Sequence, residues 1–419
     1  MVRMSSDAQV EVMAGDRLLT GVHITGFRTL REASFRPGQV SALVGEPGTG
    51  KSNLLAAIRT ALDPEAAPPA PRDVARATAP PIKIEVETAG GASCTLEADP
   101  PTMSRGAHGD LPPVLYLPAH LRSTRIVESH ASAAPEAEAA SRLFSEAVRR
   151  DGAPDQDLEY PPGTAEAAYG LIAALEAWQR VELAGLVVLI EEPELYLPPQ
   201  SQRYLYRLVR GLGEAGNQIL YSTHSPSFLN VARLHELVLT EHDPTVGTRL
   251  FQPEPLPTDS EFRAYSEFDA TRSELFMGRA AILVEGQTER LALPFVFRTL
   301  GYDPDRERIS IIECGGKPNI PLIAQVAKAV GVPFVAVHDR DAPSGGRPIQ
   351  AEQRLNRLIG EIAGSNRVEL TPDFEGVAGL RGRKNKPARA WNSFSSLRPE
   401  EVPAPLARIV HMAVAQART

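Results

Sequence analysis

The stretch Gly45-Glu46-Pro47-Gly48-Thr49-Gly50-Lys51-Ser52 constrains this chain more than any other, because it matches G-x-x-x-x-G-K-[ST] between an apolar run, Val40 to Val44, and a helical pattern. A strand that feeds such a loop, and a helix that leaves it, are the two contexts the pattern requires. Gly45, Gly48 and Gly50 let successive backbone N–H groups turn inward around phosphate oxygens. The helix N-terminus adds positive dipole, Lys51 reaches the terminal phosphates, and the Ser52 hydroxyl suits Mg²⁺. Asn53 extends the same cofactor-binding turn.

A phosphate loop needs carboxylates at the end of a neighbouring strand, to hold metal and to orient water. Leu186 to Ile190 is a continuous apolar run of strand length, the pattern of a strand covered on both faces, and it runs into Glu191-Glu192-Pro193-Glu194. Glu191 is the expected magnesium partner and Glu192 the group expected to polarise water. Tyr221-Ser222-Thr223-His224-Ser225 ends another apolar strand, where the His224 imidazole can sense a terminal phosphate, although a lone histidine is more often structural.

Around these pieces, residues 21–46 read as two short strands and a turn punctuated by Pro37-Gly38, and Ile82 to Glu87 and Ser93 to Ala98 as a strand pair. The proline-rich stretch from Pro64 to Pro81 reads as a surface connection. Helical composition marks Ala131 to Arg150, and a helix is expected from about Thr164 to Leu183. From about Pro253 to Glu274 the chain is polar and irregular, and a new series of apolar segments begins at Ala280. That divides the chain into a leader (1–19), a first domain (20–275) and a second (276–419).

The second domain repeats the theme of acids at strand ends. Residues 280–284, 309–313 and 333–338 are buried-strand candidates separated by helical patterns, which implies a second parallel sheet. The first ends in Glu285-Gly286-Gln287-Thr288-Glu289, and the last in His338-Asp339-Arg340-Asp341. Ligands bind at that edge of open α/β sheets. If a helix begins at Glu285, then Glu285 and Glu289 share a face, while Asp339 and Asp341 point the same way in extended chain. Clustered carboxylates repel unless cations sit between them, and hard oxygen donors suit Mg²⁺ or Mn²⁺, which activate water and neutralise charge on a scissile phosphodiester. A solvated rim of strand-end acids is the plain alternative. The glycine loop Cys314 to Asn319 allows close backbone approach and offers Lys317 to a nucleic acid. Arg381, Arg383, Lys384 and Lys386 form a compact basic run suited to phosphate contact.

Composition sets the outer limits. The formal net charge of -8 excludes a globally basic nucleic-acid binder, so DNA contact must come from a local patch. Two cysteines far apart, Cys94 and Cys314, exclude a disulfide framework and fit a reducing cytoplasm. The first residues carry no apolar signal-peptide core, and no run is long enough to span a bilayer, so no membrane is expected.

In that order, GEPGTGKS, LVVLIEEPELYLPP and ILYSTHSP resemble the ABC-type ATPases of the SMC and RecF group, and in particular the OLD (overcoming lysogenization defect) family. The resemblance makes Lys51 and Ser52 the Walker A pair, Glu191 and Glu192 the Walker B pair and His224 the switch histidine; Leu115 to Ser123 resembles a further family segment. VEGQTE, CGGKPN and HDRD look like a Toprim domain, which implies catalytic or metal-binding Glu285, metal ligands Asp339 and Asp341, a second-site ligand Glu289, a further acid Glu375 and a late catalytic lysine, Lys386. One departure stands out: where family members carry a serine-glycine signature that caps a partner's nucleotide, this chain reads Tyr160-Pro161-Pro162-Gly163-Thr164. The missing serine argues against efficient hydrolysis and makes ATP more a dimer clamp or sensor than a fuel.

The expectation is therefore an α/β protein: an N-terminal ABC-type P-loop ATPase domain, and a C-terminal Toprim domain with a parallel sheet flanked by helices. The implied activity is a nucleotide-regulated, Mg²⁺- or Mn²⁺-dependent DNA endonuclease. It would be a homodimer or higher homo-oligomer through the ATPase domain, with a partner protein from the same operon and a role in anti-phage or anti-plasmid defence. The rival readings are an ATP-binding scaffold with a degenerate Toprim site that recruits an effector, and a RecF-like DNA repair ATPase, which leaves VEGQTE and HDRD unexplained.

Overall fold

The computed structural model describes residues 15–65, 67–75, 81–100, 102–119, 132–151, 164–181, 183–229, 231–254, 271–340, 349–380 and 385–418. The chain forms two compact units, one of residues 1–229 and 235–252, the other of 230–234 and 253–419.

The first unit holds two sheets. Strands β1 (Leu19–Phe27), β2 (Leu30–Phe35), β4 (Ile82–Thr88), β5 (Ser93–Asp99) and β6 (Thr102–His108) form an antiparallel sheet in the order β2-β1-β4-β5-β6. A second sheet has the order β11-β10-β3-β9-β8-β7, built from β3 (Val40–Gly45), β7 (Val114–Leu117), β8 (Val187–Glu191), β9 (Gln218–Thr223), β10 (Leu237–Asp243) and β11 (Gly247–Phe251). All its pairings are parallel except β10 with β11. Strands β3, β8 and β9 are buried almost throughout, as strands covered on both faces must be. Helix α1 (Lys51–Leu62) supplies Leu54, Leu55, Ile58 and Ala61 to a core that also takes residues from both sheets, so the helix lies between them. Helices α2 (Pro135–Asp151), α3 (Thr164–Trp178) and α4 (Pro199–Glu214) complete the unit.

The second unit has a wholly parallel sheet in the order β13-β12-β14-β15, from β12 (Ala280–Val284), β13 (Ile309–Glu313), β14 (Phe334–Asp339) and β15 (Arg367–Leu370). Its helices are α5 (Gln287–Thr299), α6 (Ile320–Ala329), α7 (Ile349–Ala363), the single turn α8 (Phe374–Val377), α9 (Lys386–Phe394) and α10 (Ala404–Ala417). One face of the sheet, with Ile282, Val284, Val335 and Val337, packs on α5, α9 and α10 through Val296, Phe297, Phe394 and Ile409. The fold class is α/β, as the apolar runs imply. Strand β6 escapes the periodicity because every residue in it is exposed; only pairing with β5 makes it extended. The helix expected to reach Leu183 stops at Trp178, whose indole N–H donates to the Leu183 carbonyl at 3.2 Å and folds the chain back.

Candidate functional sites

In the first unit, β3 delivers the glycine loop to the edge of the six-stranded sheet. Gly45 (φ 153°), Gly48 (φ 82°) and Gly50 (φ 107°) all have positive φ, where a side chain is strained. A Cβ on Gly45 would stand 2.2 Å from the Thr240 carbonyl oxygen, and one on Gly50 2.3 Å from Thr248 Oγ1, so strands β10 and β11 close over the loop. Thr248 Oγ1 also donates to the Thr49 carbonyl at 2.9 Å.

Lys51 is 5% exposed, and its ammonium donates to the carbonyls of Gly45 (2.9 Å) and Glu46 (2.8 Å). Burial lowers its pKa to about 8, against the opposing fields of Glu192, Glu194 and Glu46. Ser52 is exposed at the start of α1. Asn53 points elsewhere: its Nδ2 donates to Thr29 Oγ1 at 2.8 Å and its Oδ1 accepts from Arg28 at 3.2 Å, so its side chain braces the β1–β2 turn rather than the loop.

Glu191 ends β8, with Oε2 accepting from the Ala119 N–H at 3.3 Å; the Tyr116 hydroxyl also bonds it, and burial holds that phenol well above its ordinary pKa. Glu192 takes a left-handed backbone (φ 42°) and its N–H donates to the Ser222 carbonyl at 3.0 Å. His224 Nε2 lies 3.6 Å from Glu192 Oε1, and burial, reinforced by the Lys51 charge, lowers the pKa of the imidazole. Lys51, Glu192 and His224 thus share one electrostatic neighbourhood.

Sequence reasoning missed Glu194. It is 7% exposed, and its Oε1 accepts from Thr223 Oγ1 at 2.8 Å and from the His224 N–H at 2.6 Å. Among the described residues Oε2 has no hydrogen-bond partner, and burial raises the pKa of the carboxyl. The last residue of Ile190-Glu191-Glu192-Pro193-Glu194 therefore ties the end of β9 to the end of β8. Its signal was an acid two residues beyond an acidic pair, which solvation would explain equally well. The departure at residues 160–163 lies outside the described residues.

In the second unit, β12 and β14 are neighbours, and Glu285, just after β12, meets Asp339, the last residue of β14. Glu285 Oε1 accepts the Asp339 backbone N–H at 2.7 Å, and Asp339 Oδ1 accepts the Phe374 N–H at 2.8 Å, at the first residue of α8. Both acids are oriented by peptide groups. Helix α5 begins at Gln287, so Glu285 belongs to the strand end and only Glu289 to the helix. The shared helix face is thereby replaced by a strand end and a first helical turn. Glu289 is 7% exposed; burial, with Asp339 and Glu375 adding repulsion, raises its pKa to about 7.

Lys386 Nζ meets Glu375 Oε1 at 2.6 Å, and that hydrogen bond raises the lysine's pKa. Glu375 and Lys386 thus stand beside the acids with opposite charge. Lys317, expected at a nucleic-acid interface, is instead only 3% exposed. Its ammonium donates to the Asp339 carbonyl at 2.5 Å and lies 3.3 Å from Glu352 Oε2, because the Gly315-Gly316 turn (φ 75° and 122°) folds the chain inward there. Asp341, Arg381, Arg383 and Lys384 lie outside the described residues.

The donor chemistry fits a hard divalent ion: Glu289 is a buried carboxyl whose charge is opposed by two neighbouring carboxylates, an imbalance that a cation relieves. Among the described residues, however, no three His, Cys, Asp or Glu side chains already stand close enough to enclose one. Both cysteines are buried and free. Among the described residues no helix is long and apolar enough to cross a membrane.

Comparison with known proteins bears on both units. Residues 276–341 match the family model "Overcoming lysogenization defect protein-like, TOPRIM domain", and residues 171–229 match an AAA ATPase domain. The chain is 37% identical over 240 residues to "OLD nuclease" of Thermus scotoductus, covering 52% of this chain and 46% of that protein. It is 27% identical over 164 residues to "Old nuclease" of Escherichia phage P2, covering 38% and 28%. The matches thus span less than half the length of these curated relatives. Among solved structures, the SMC head domain from Thermotoga maritima matches 57% of this chain and 99% of its own, with 18% identity and a TM-score of 0.37.

Proposed function

We propose that this chain, in which an OLD-like TOPRIM domain follows an AAA-type ATPase domain, is a nucleotide-regulated, divalent-metal-dependent DNA endonuclease. The observation that carries the reading is the meeting of Glu285 and Asp339 at adjacent strand ends, with the Glu289 carboxyl close by, its pKa raised by burial and by the charges of Asp339 and Glu375. Glu285, Asp339 and Asp341 would hold a divalent ion, with Glu289 at a second site and Glu375 as a further acid, and the metal would supply Lewis acidity toward a phosphodiester and its attacking water. The protein's own part is orientation and charge. Peptide N–H groups fix one oxygen of Glu285 and one of Asp339, and Lys386 brings positive charge for a departing oxyanion. Arg381, Arg383 and Lys384 are assigned to phosphate contact; Lys317 is left out of that set, because it braces the Asp339 carbonyl from within.

In the ATPase domain, Lys51 and the loop amides take the phosphates, Ser52 and Glu191 serve Mg²⁺, Glu192 orients water, and His224 reads the terminal phosphate against it. The OLD resemblance further implies a cytoplasmic homodimer in anti-phage or anti-plasmid defence, with a partner protein from the same operon.

The test is plasmid cleavage across Mg²⁺ and Mn²⁺, with and without ATP. Glu285→Ala and Asp339→Ala are expected to abolish nicking while ATP binding persists, and undiminished nicking by both removes the assignment. One observation favours a second reading, an ATP-gated scaffold with a degenerate TOPRIM site: no ion-enclosing group exists among the described residues. Calorimetric titration with Mn²⁺ separates the two, since the scaffold predicts no carboxylate-dependent binding.

A further inference from the structure

Trp391, on α9, is 54% exposed, although an indole is among the costliest side chains to leave in water. It does not stand alone. Its ring meets that of Phe295, on α5, edge-on with centroids 5.0 Å apart at 90°, so the indole is braced by a half-buried aromatic ring. The Arg298 guanidinium, one helical turn further along α5 and exposed, lies 5.7 Å from the Phe295 centroid.

Both helices lead from this platform back to the acid centre. Six residues separate Phe295 from Glu289 on α5, about 9 Å along the axis, and five separate Trp391 from Lys386 on α9, about 8 Å. The charge around the indole has one sign along α9, which carries Lys386 and Arg389 and no acid; the run Arg381, Arg383 and Lys384 immediately precedes it in sequence. A braced, exposed indole amid cations suits a ligand with an aromatic face and a polyanionic backbone. In duplex DNA the base faces are stacked away, so the face that an indole can cover belongs to an unpaired nucleotide.

We propose that Trp391, braced by Phe295 and flanked by Arg298, is a stacking platform for an unpaired base of the DNA strand. The proposal rests on the reading of the second unit as a DNA-cleaving centre and adds that its substrate is single-stranded or locally melted next to the acids. The platform holds the strand by its base.

The chain lends itself to a direct test, because it has two tryptophans and the other, Trp178, is 1% exposed. In EDTA, which prevents cleavage, the full-length protein is titrated with oligothymidine of about fifteen nucleotides and with a duplex of equal length. Tryptophan emission and the anisotropy of labelled DNA are followed together. The single strand is expected to quench emission saturably and the duplex to quench far less. Trp391→Ala should weaken single-strand binding about tenfold, and Trp391→Phe should recover most of it. Equal single-strand affinity for wild type and Trp391→Ala overturns the proposal. So does loss of self-association in Trp391→Ala with unchanged DNA affinity, which assigns the indole to a second copy of the chain. Wild-type plasmid cleavage with metal is run in parallel: absent cleavage with intact oligothymidine quenching defeats the catalytic reading alone, and robust cleavage with no effect of Trp391→Ala on binding defeats the stacking inference alone.

Discussion

Glu289 shows how a single side chain can be held in a state that costs the fold. Its carboxyl ionises at about 7 in the folded chain, above the ordinary value of 4.5, because it is buried and faces Asp339 and Glu375. A raised carboxyl pKa means that the folded state holds a proton which the unfolded state has lost between those two values, so stability falls as pH rises from about 4.5 to 7. In EDTA at pH 7.5, Glu289→Gln should therefore stabilise the protein by about 2 kcal/mol, measured by urea titration, while it abolishes metal-dependent cleavage. A variant no more stable than wild type would show that the buried charge is already compensated. Lys51 works in the opposite direction. Burial lowers its pKa to about 8, and an arriving phosphate favours the charged form, so nucleotide binding at pH 9 should take up a proton. Calorimetry in buffers of different ionisation enthalpy measures that uptake; none is expected from Lys51→Ala.

At the scale of elements, strand ends make the sites, and they do so through short ties that join one strand to the next. Glu194 ties β9 to the loop after β8 by accepting from the Thr223 hydroxyl and the His224 N–H. Glu194→Ala strands both donors in the interior and should cost about 2–4 kcal/mol and weaken ATP binding, whereas Glu194→Gln keeps the acceptor and should behave nearly as wild type. Urea midpoints and nucleotide titrations of the pair decide; equal loss in both would mean that the charge, not the tie, matters. The same contrast explains what the sequence disclosed. Strands β8, β12 and β14 are legible because burial on both faces demands unbroken apolar runs, and the acids that end them are legible as departures from those runs. Strand β6 is illegible because it is fully exposed. Lys317 misleads because a lysine after two glycines looks like a solvent-facing phosphate ligand, and nothing local reveals that the turn carries it inward onto the Asp339 carbonyl. Glu194 and Tyr116 act across strands, through neighbours set by topology rather than by spacing.

For the molecule as a whole, the decisive feature is that each unit has a core of its own, one gathered on α1 between two sheets and the other on α5, α9 and α10. Ligands that bind only the folded form of a unit stabilise that unit. Scanning calorimetry should show two transitions, with ATP and Mg²⁺ raising the one that Lys51→Ala renders unresponsive, and Glu289→Gln in EDTA raising the other. A single transition shifted equally by both would mean that the cores melt as one.

Because backbone amides hold one oxygen of Glu285 and one of Asp339, that part of the aim survives loss of charge. A carboxamide presents an oxygen of the same shape to the same N–H. Asp339→Asn and Glu285→Gln should accordingly yield well-folded, inert proteins that hold an intact strand instead of cutting it, and such traps could capture the natural target from cells.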